Sequence, residues 1–205
     1  TVKLNILRAG KSLSVEVTRG SIPTPSIVAA YMIDKTIGYI KLDKFTSVSY
    51  REFMESMEAL KKQGLQSLIF DLRGNGGGYM DQAVDIVDEF LDGDKLVVYT
   101  QGTNSAKKEY RCKRPGIFEK GKTVVLVDEL SASASEIVAG ALQDWDRADI
   151  VGRRTFGKGL VQEMFPLSDG AALKLTVSRY YTPLGRSIQR PYDKGRKVYM
   201  DEVWN

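Results

Sequence analysis

The chain has 205 residues, 42% of them hydrophobic and 27% charged, with a formal net charge of +4, as expected of a soluble globular protein with one sizeable core. No apolar run approaches the roughly 18 residues of a membrane-spanning helix, and basic residues are dispersed apart from "KKEYRCKR" and "RPYDKGRK", which argues against nucleic-acid binding. A single cysteine, Cys112, excludes an internal disulfide, and the absence of histidine excludes any mechanism built on imidazole.

In chain order, "TVKLNILR" and "SLSVEVTR" alternate apolar and polar residues around "AGK", which predicts a β-hairpin. A chain that opens on Thr inside such a strand is expected to be part of something longer. The two prolines of "SIPTPS" place a domain boundary near residues 20 to 26. "IGYIKLDKF" reads as a strand. "SYREFMESMEALKKQG" spaces Phe53, Met57 and Leu60 as an amphipathic helix with Ser49 as N-cap and Gly64 as its stop. "LQSLIFDLRGNGGG" is a buried strand running into a glycine-rich turn. A second helix begins at Asp81, carries Ala83, Val84, Val87, Phe90 and Leu91, and stops at Gly93. "KLVVYTQ" and "TVVLVDE" are strands on either side of a polar loop region, residues 102 to 122. A helix from Ser135 places Ile137, Val138, Ala141, Leu142 and Trp145 on one side. "ADIVG" is a further strand, and "LVQEMFPL" and "AALKLTVSRYYT" form a hairpin around "SDG". Strands alternating with helices at this spacing predict an α/β fold with a largely parallel sheet.

Three segments imitate sites without their context. "GIFEKGKT" matches the phosphate-binding loop pattern, but a polar stretch precedes it and a strand follows, where a helix N-terminus is needed. "SAKK" lacks the partner elements of penicillin-binding enzymes. Cys112 has no histidine to activate it.

"SASASEIVAGALQ" remains, three serines on alternate positions between a buried strand and a helix. A serine hydroxyl needs a base, and without histidine that base is Lys, a carboxylate, Tyr or a terminal amine. Lys158, between two glycines in "TFGKGLVQ", suits a tight site. To accept a proton near neutral pH it must shed its own, which burial or nearby positive dipoles would have to favour. The strand-to-helix junction offers free N–H groups and a positive helix end to a developing oxyanion. Ser135, with Glu136 following, would serve equally as an N-cap, and Ser131 as a turn residue. The glycine-rich turn "DLRGNGGG" also ends a buried strand, so its amides are expected at the same sheet edge.

These residues resemble the carboxy-terminal processing, or tail-specific, proteases of peptidase family S41, serine peptidases with a Ser-Lys dyad. "IGYIKLDKF", "LIFDLRGNGGG", "SASASEIVAGALQD", "VGRRTFGKGLVQ" and "YYTPLGRSIQ" match in family order over most of residues 31 to 190. The resemblance implies Ser133 as nucleophile, Lys158 as general base and Gln162 as the residue that orients the lysine. Positions 158 and 162, four apart, would share a side of a strand or helix. It further implies an oxyanion hole from the backbone N–H of Ala134 and of Gly77 or Gly78. The family fold is α/β, a crotonase- and Clp-protease-like core with ββα units. In it, residues 1–23 correspond to the last strands of a PDZ-like domain, residues 24–190 to the protease core and residues 191–205 to a C-terminal extension.

By resemblance the chain needs no metal, nucleotide or other cofactor. Its partners are protein or peptide substrates, often with apolar C-termini, and envelope association and homo-oligomerisation are compatible with it. The family implies a bacterial cell envelope, periplasmic or secreted, or the chloroplast lumen. A different class of reading is a non-catalytic ligand- or peptide-binding protein of the same fold. A third is a protease fragment silenced by the missing PDZ-like domain, which recruits C-terminal peptides by strand addition.

Overall fold

A computed structural model describes residues 1–20, 24–193 and 195–204. In chain order the elements are β1 (Val2–Arg8), β2 (Lys11–Val17), β3 (Ile27–Met32), β4 (Ile37–Leu42), α1 (Ser49–Lys62), β5 (Ser67–Asp71), α2 (Met80–Asp88) and β6 (Leu96–Gly102). They continue with β7 (Ser105–Arg111), β8 (Lys122–Val127), α3 (Ala134–Asp144), β9 (Asp149–Gly152), β10 (Leu160–Pro166), β11 (Ala172–Tyr181) and α4 (Gly195–Trp204).

The α/β expectation holds. A five-stranded sheet runs β3-β4-β5-β8-β9; β3 is antiparallel to β4, and every later pair is parallel. A four-stranded antiparallel sheet runs β10-β11-β6-β7. The hairpin β1–β2 forms a two-stranded sheet of its own. One face aligns Val2 with Val17, Leu4 with Val15 and Ile6 with Leu13, and every residue of both strands is exposed. Part of the expected domain boundary, residues 21–23, lies outside the described residues.

The core forms where the helices cover the parallel strands. α1 buries Phe53, Met57 and Leu60, as its spacing predicts. Phe53 meets Phe70 of β5 at 5.4 Å between ring centroids and Phe90 at 5.8 Å. Phe90 and Leu91, expected on α2, follow its last turn and are buried all the same. Ser49 is the first residue of α1 instead of its cap. Its buried hydroxyl accepts the Thr46 N–H at 2.7 Å and lies 2.8 Å from Ser26 Oγ, so it secures the loop before the helix.

Three elements escape the sequence patterns. β7 occupies part of the stretch expected as a polar loop, pairing antiparallel with β6. It is a sheet edge whose charges pair along the strand, Lys107 to Glu109 at 2.7 Å and Arg111 to Glu109 at 2.8 Å, so no apolar alternation marks it. β3 is the edge of the larger sheet, and α4 lies in the expected C-terminal extension. The phosphate-loop imitation opens no helix, since β8 begins at Lys122. Just after β7, Cys112 is 4% exposed, and burial together with the Asp88 carboxylate pushes its thiol up to about 12. Among the described residues no helix is long and apolar enough to cross a membrane.

Candidate active site

The parallel strands β5 and β8 end side by side, and their carboxyl ends carry the two loops singled out in the sequence. Asp71, at the end of β5, has a fully buried carboxylate. It accepts the Tyr39 hydroxyl at 2.6 Å and the Arg73 guanidinium at 2.6 and 3.0 Å, with Lys41 at 3.8 Å. Burial alone would raise this carboxyl, but Arg73, Tyr39 and Lys41 hold it down to about 2.

Beyond it the glycine-rich loop and the serine turn are laced together. Gly74 donates to Asp128 Oδ1 at 2.9 Å, and the Asn75 carbonyl accepts the Ala132 N–H at 3.0 Å. The outer two serines serve this lacing. Ser131 Oγ donates to the Leu72 carbonyl at 2.8 Å, Ser135 Oγ to the Asn75 carbonyl at 2.9 Å, and both residues are fully buried. Ser133, between them, is half-buried and sits at φ 56°, ψ −112° as the N-cap of α3. A side chain at positive φ in a strand-to-helix turn is strained by on the order of 1–3 kcal/mol, and such strain collects where a nucleophile must be presented.

Glu136 is the member of the site that motif reading left as a possible cap partner. It forms a capping box with Ser133, for which the spacing S-x-x-E was the available signal. Its carboxylate is 5% exposed and does more than cap the helix. Oε2 accepts the Ser133 N–H at 2.8 Å and the Lys158 N–H at 2.8 Å, while Oε1 accepts the Gly157 N–H at 2.6 Å. One buried carboxylate therefore holds the backbones of both dyad candidates. Burial pushes this carboxyl above its ordinary range, and the amides of Lys158, Ser133 and Gly157 pull the other way without cancelling it.

The side chains are arranged differently from the backbones. The Lys158 side chain is exposed, and among the described residues its ammonium has neither a hydrogen bond nor an ion pair. The expected shielding of this amine is absent from this arrangement. Gln162 is also exposed and makes no side-chain bond to Lys158. A β-bulge between Val161 and Gln162 interrupts the strand alternation expected to align positions 158 and 162.

The glycine loop reaches the serine directly. A methyl group on Gly77 would stand 2.6 Å from the Ala132 carbonyl oxygen and 2.8 Å from Ser133 Cβ, so only glycine fits here, at φ 92°. The Gly77 amide is donated to Asn75 Oδ1 at 2.9 Å. The amides of Ala134 and Gly78 have no acceptor among the described residues, so both remain candidates for the expected oxyanion hole. Among the described residues no three His, Cys, Asp or Glu side chains are grouped to hold a metal ion.

Comparison with known proteins agrees with this architecture. The chain is 39% identical over 194 residues to the carboxyl-terminal-processing protease of Synechocystis, covering 92% of this chain and 45% of that protein. It is 35% identical over 193 residues to the carboxy-terminal-processing protease of Bartonella bacilliformis, covering 92% and 44%. It thus spans less than half the length of these relatives. Among solved structures, a photosystem II D1 C-terminal processing protease superposes with a TM-score of 0.74 at 32% identity, over 87% of this chain and 49% of that one. The model of peptidase family S41 matches residues 36–195, and the chain belongs to that family.

Proposed function

We propose that the chain is the catalytic core of a serine endopeptidase of the carboxy-terminal processing type, acting on protein or peptide substrates through Ser133 and Lys158. The observation that carries this reading is the shared Glu136 carboxylate, which bonds the amides of both residues at 2.8 Å while the glycine loop closes on Ser133 from the other side. With both backbones anchored, rotation of the flexible four-carbon lysine stem brings the amine from solvent to the hydroxyl. The neutral amine takes the Ser133 proton as Oγ attacks the scissile carbonyl. The oxyanion is received by the Ala134 and Gly78 amides, and the lysine returns the proton to the leaving amine. Water then hydrolyses the acyl-enzyme by the same route. Gln162 orients the lysine once it has turned inward.

The relatives' names, which speak of carboxyl-terminal processing, support engagement of substrates near their C-termini, and the exposed apolar face of β1–β2 supports residues 1–23 as the end of a PDZ-like domain. By family resemblance those termini are apolar and the protein works in the cell envelope or outside it. The test is cleavage of a peptide library read by mass spectrometry, together with labelling by a fluorophosphonate. Ser133→Ala and Lys158→Ala are expected to abolish cleavage with circular dichroism unchanged, and full activity in either variant overturns the assignment.

A further inference from the structure

The stretch "GRSIQR", residues 185–190, has no part in the chemistry above, yet it reaches the lysine. After β11 the chain turns back, with the Thr182 N–H on the Arg186 carbonyl at 3.0 Å and the Ile188 N–H on the Tyr180 carbonyl at 3.2 Å. This return delivers Gln189 and Arg190, 7% and 2% exposed, against Gly157-Lys158-Gly159. Gln189 Oε1 accepts the Gly159 N–H at 3.0 Å, and its Nε2 donates to the Arg190 carbonyl at 2.8 Å. The Arg190 N–H bonds the Gly157 carbonyl at 3.0 Å, and its Nη2 donates to the Thr155 carbonyl at 3.3 Å. The Gly159 carbonyl accepts the Tyr180 N–H at 2.8 Å. Contact is close enough that a methyl group on Gly157 would meet Arg190 Cβ at 2.8 Å.

Glu136 holds two of these three residues as well, through the Gly157 and Lys158 amides. The lysine backbone is thus clamped between two elements, while its side chain is free to turn. Among the described residues the buried Arg190 guanidinium has no carboxylate partner. It lies over the rings of Phe156 and Tyr199 at 5.8 and 5.4 Å, donates to the Tyr199 carbonyl at 3.2 Å, and among the described residues leaves its Nε without a partner. A buried guanidinium so incompletely satisfied is costly to keep for packing alone.

We propose that Gln189 and Arg190 are positioning residues for Lys158. They fix the backbone from which the amine reaches Ser133, and they act on the rate of acylation, leaving substrate binding unchanged. This inference rests on the Ser133–Lys158 reading and adds to it. The test compares Gln189→Met, which keeps the shape and loses both polar ends, with Gln189→Glu, which keeps an acceptor for the Gly159 amide. Peptide kcat and KM and the rate of fluorophosphonate labelling are measured in each, normalised to the folded fraction from circular dichroism. Gln189→Met is expected to lower kcat and labelling at least tenfold with KM within about twofold, and Gln189→Glu to recover part of that loss.

Wild-type kcat in Gln189→Met, or equal losses in both variants, overturns the proposal. Should Gln189→Met not fold, Arg190→Lys carries the same test. It keeps the charge and the backbone bond but loses the guanidinium that spans the Thr155 and Tyr199 carbonyls; a several-fold loss in kcat at constant KM supports the clamp, and an unchanged kcat refutes it. Lys158→Ala is run alongside. Cleavage surviving in that variant sinks the dyad itself, whereas a dead Lys158→Ala beside a fully active Gln189→Met sinks only the clamp.

Discussion

The serine turn and the lysine loop are held by the same carboxylate, yet they are finished to different degrees. At the turn, backbone and side chains are both fixed. Ser131 and Ser135 are fully buried and bonded to carbonyls of the glycine loop, and Ser133 stands in a strained conformation that its neighbours impose. At the loop only the backbone is fixed, and the Lys158 and Gln162 side chains lie in solvent. On the proposed reading, the fold preorganises the nucleophile Ser133, and the base Lys158 would join it by a side-chain movement. Preorganisation favours catalysis when the rigid half carries the oxyanion donors, the role proposed for the Ala134 and Gly78 amides.

The sharpest break of this contrast is at Ser133 itself. Ser133→Gly is expected to lower kcat by a factor on the order of 10⁴ or more while raising stability by about 1 kcal/mol, because glycine accepts the positive φ at no steric cost. Activity assays and urea unfolding read the two effects, and a destabilised Ser133→Gly chain would show that the turn is unstrained. Next is Gly77→Ala, whose methyl group collides with the Ala132 carbonyl and Ser133 Cβ. A loss of about 1–3 kcal/mol in urea unfolding, and cleavage reduced well beyond the unfolded fraction, are expected.

Glu136→Gln tests the shared anchor. An amide presents one acceptor oxygen where three N–H groups now converge, so stability should fall by about 1–3 kcal/mol. The kcat should drop roughly ten- to a hundredfold with little change in KM. A change in KM alone would mean that the carboxylate serves substrate binding instead.

The smallest effect concerns the frame beneath both loops. The Asp71 carboxyl is lowered in the fold to about 2, so it stabilises the fold above the unfolded value of about 3.9, and that contribution disappears as pH falls through about 2. Up to about 2 kcal/mol should be lost across that window in acid unfolding curves. Asp71→Asn should flatten this part of the profile, and an unchanged profile would place the acid sensitivity elsewhere.

What could be read in advance follows from which forces leave a periodic trace. α1 and the strands β4, β5 and β8 bury one face, and burial imposes a pattern on the residues. β7 escapes because its stability comes from edge pairing and from Lys107, Glu109 and Arg111, which alternate nothing apolar. β3 escapes because two alanines sit at its centre and its burial is slight. In the site, residue types and order point to Ser133 and Lys158 through family resemblance. The outer serines, in contrast, acquire their work from carbonyls some 60 positions away, a contact that no local pattern announces. The lysine's outward direction depends on its rotamers, and the expected alignment with Gln162 is interrupted by the bulge at Val161 and Gln162, neither of which spacing encodes.

The burial of Cys112 has a practical reach. The only thiol of the sequence is shut in and held protonated far above neutrality, so maleimide reagents pass it by. A cysteine introduced on the surface becomes the sole labelling point. A spin label or fluorophore on such a cysteine in the loop around Lys158 would then report whether that backbone stays as still as its clamping by Glu136 implies, with no native thiol to silence first.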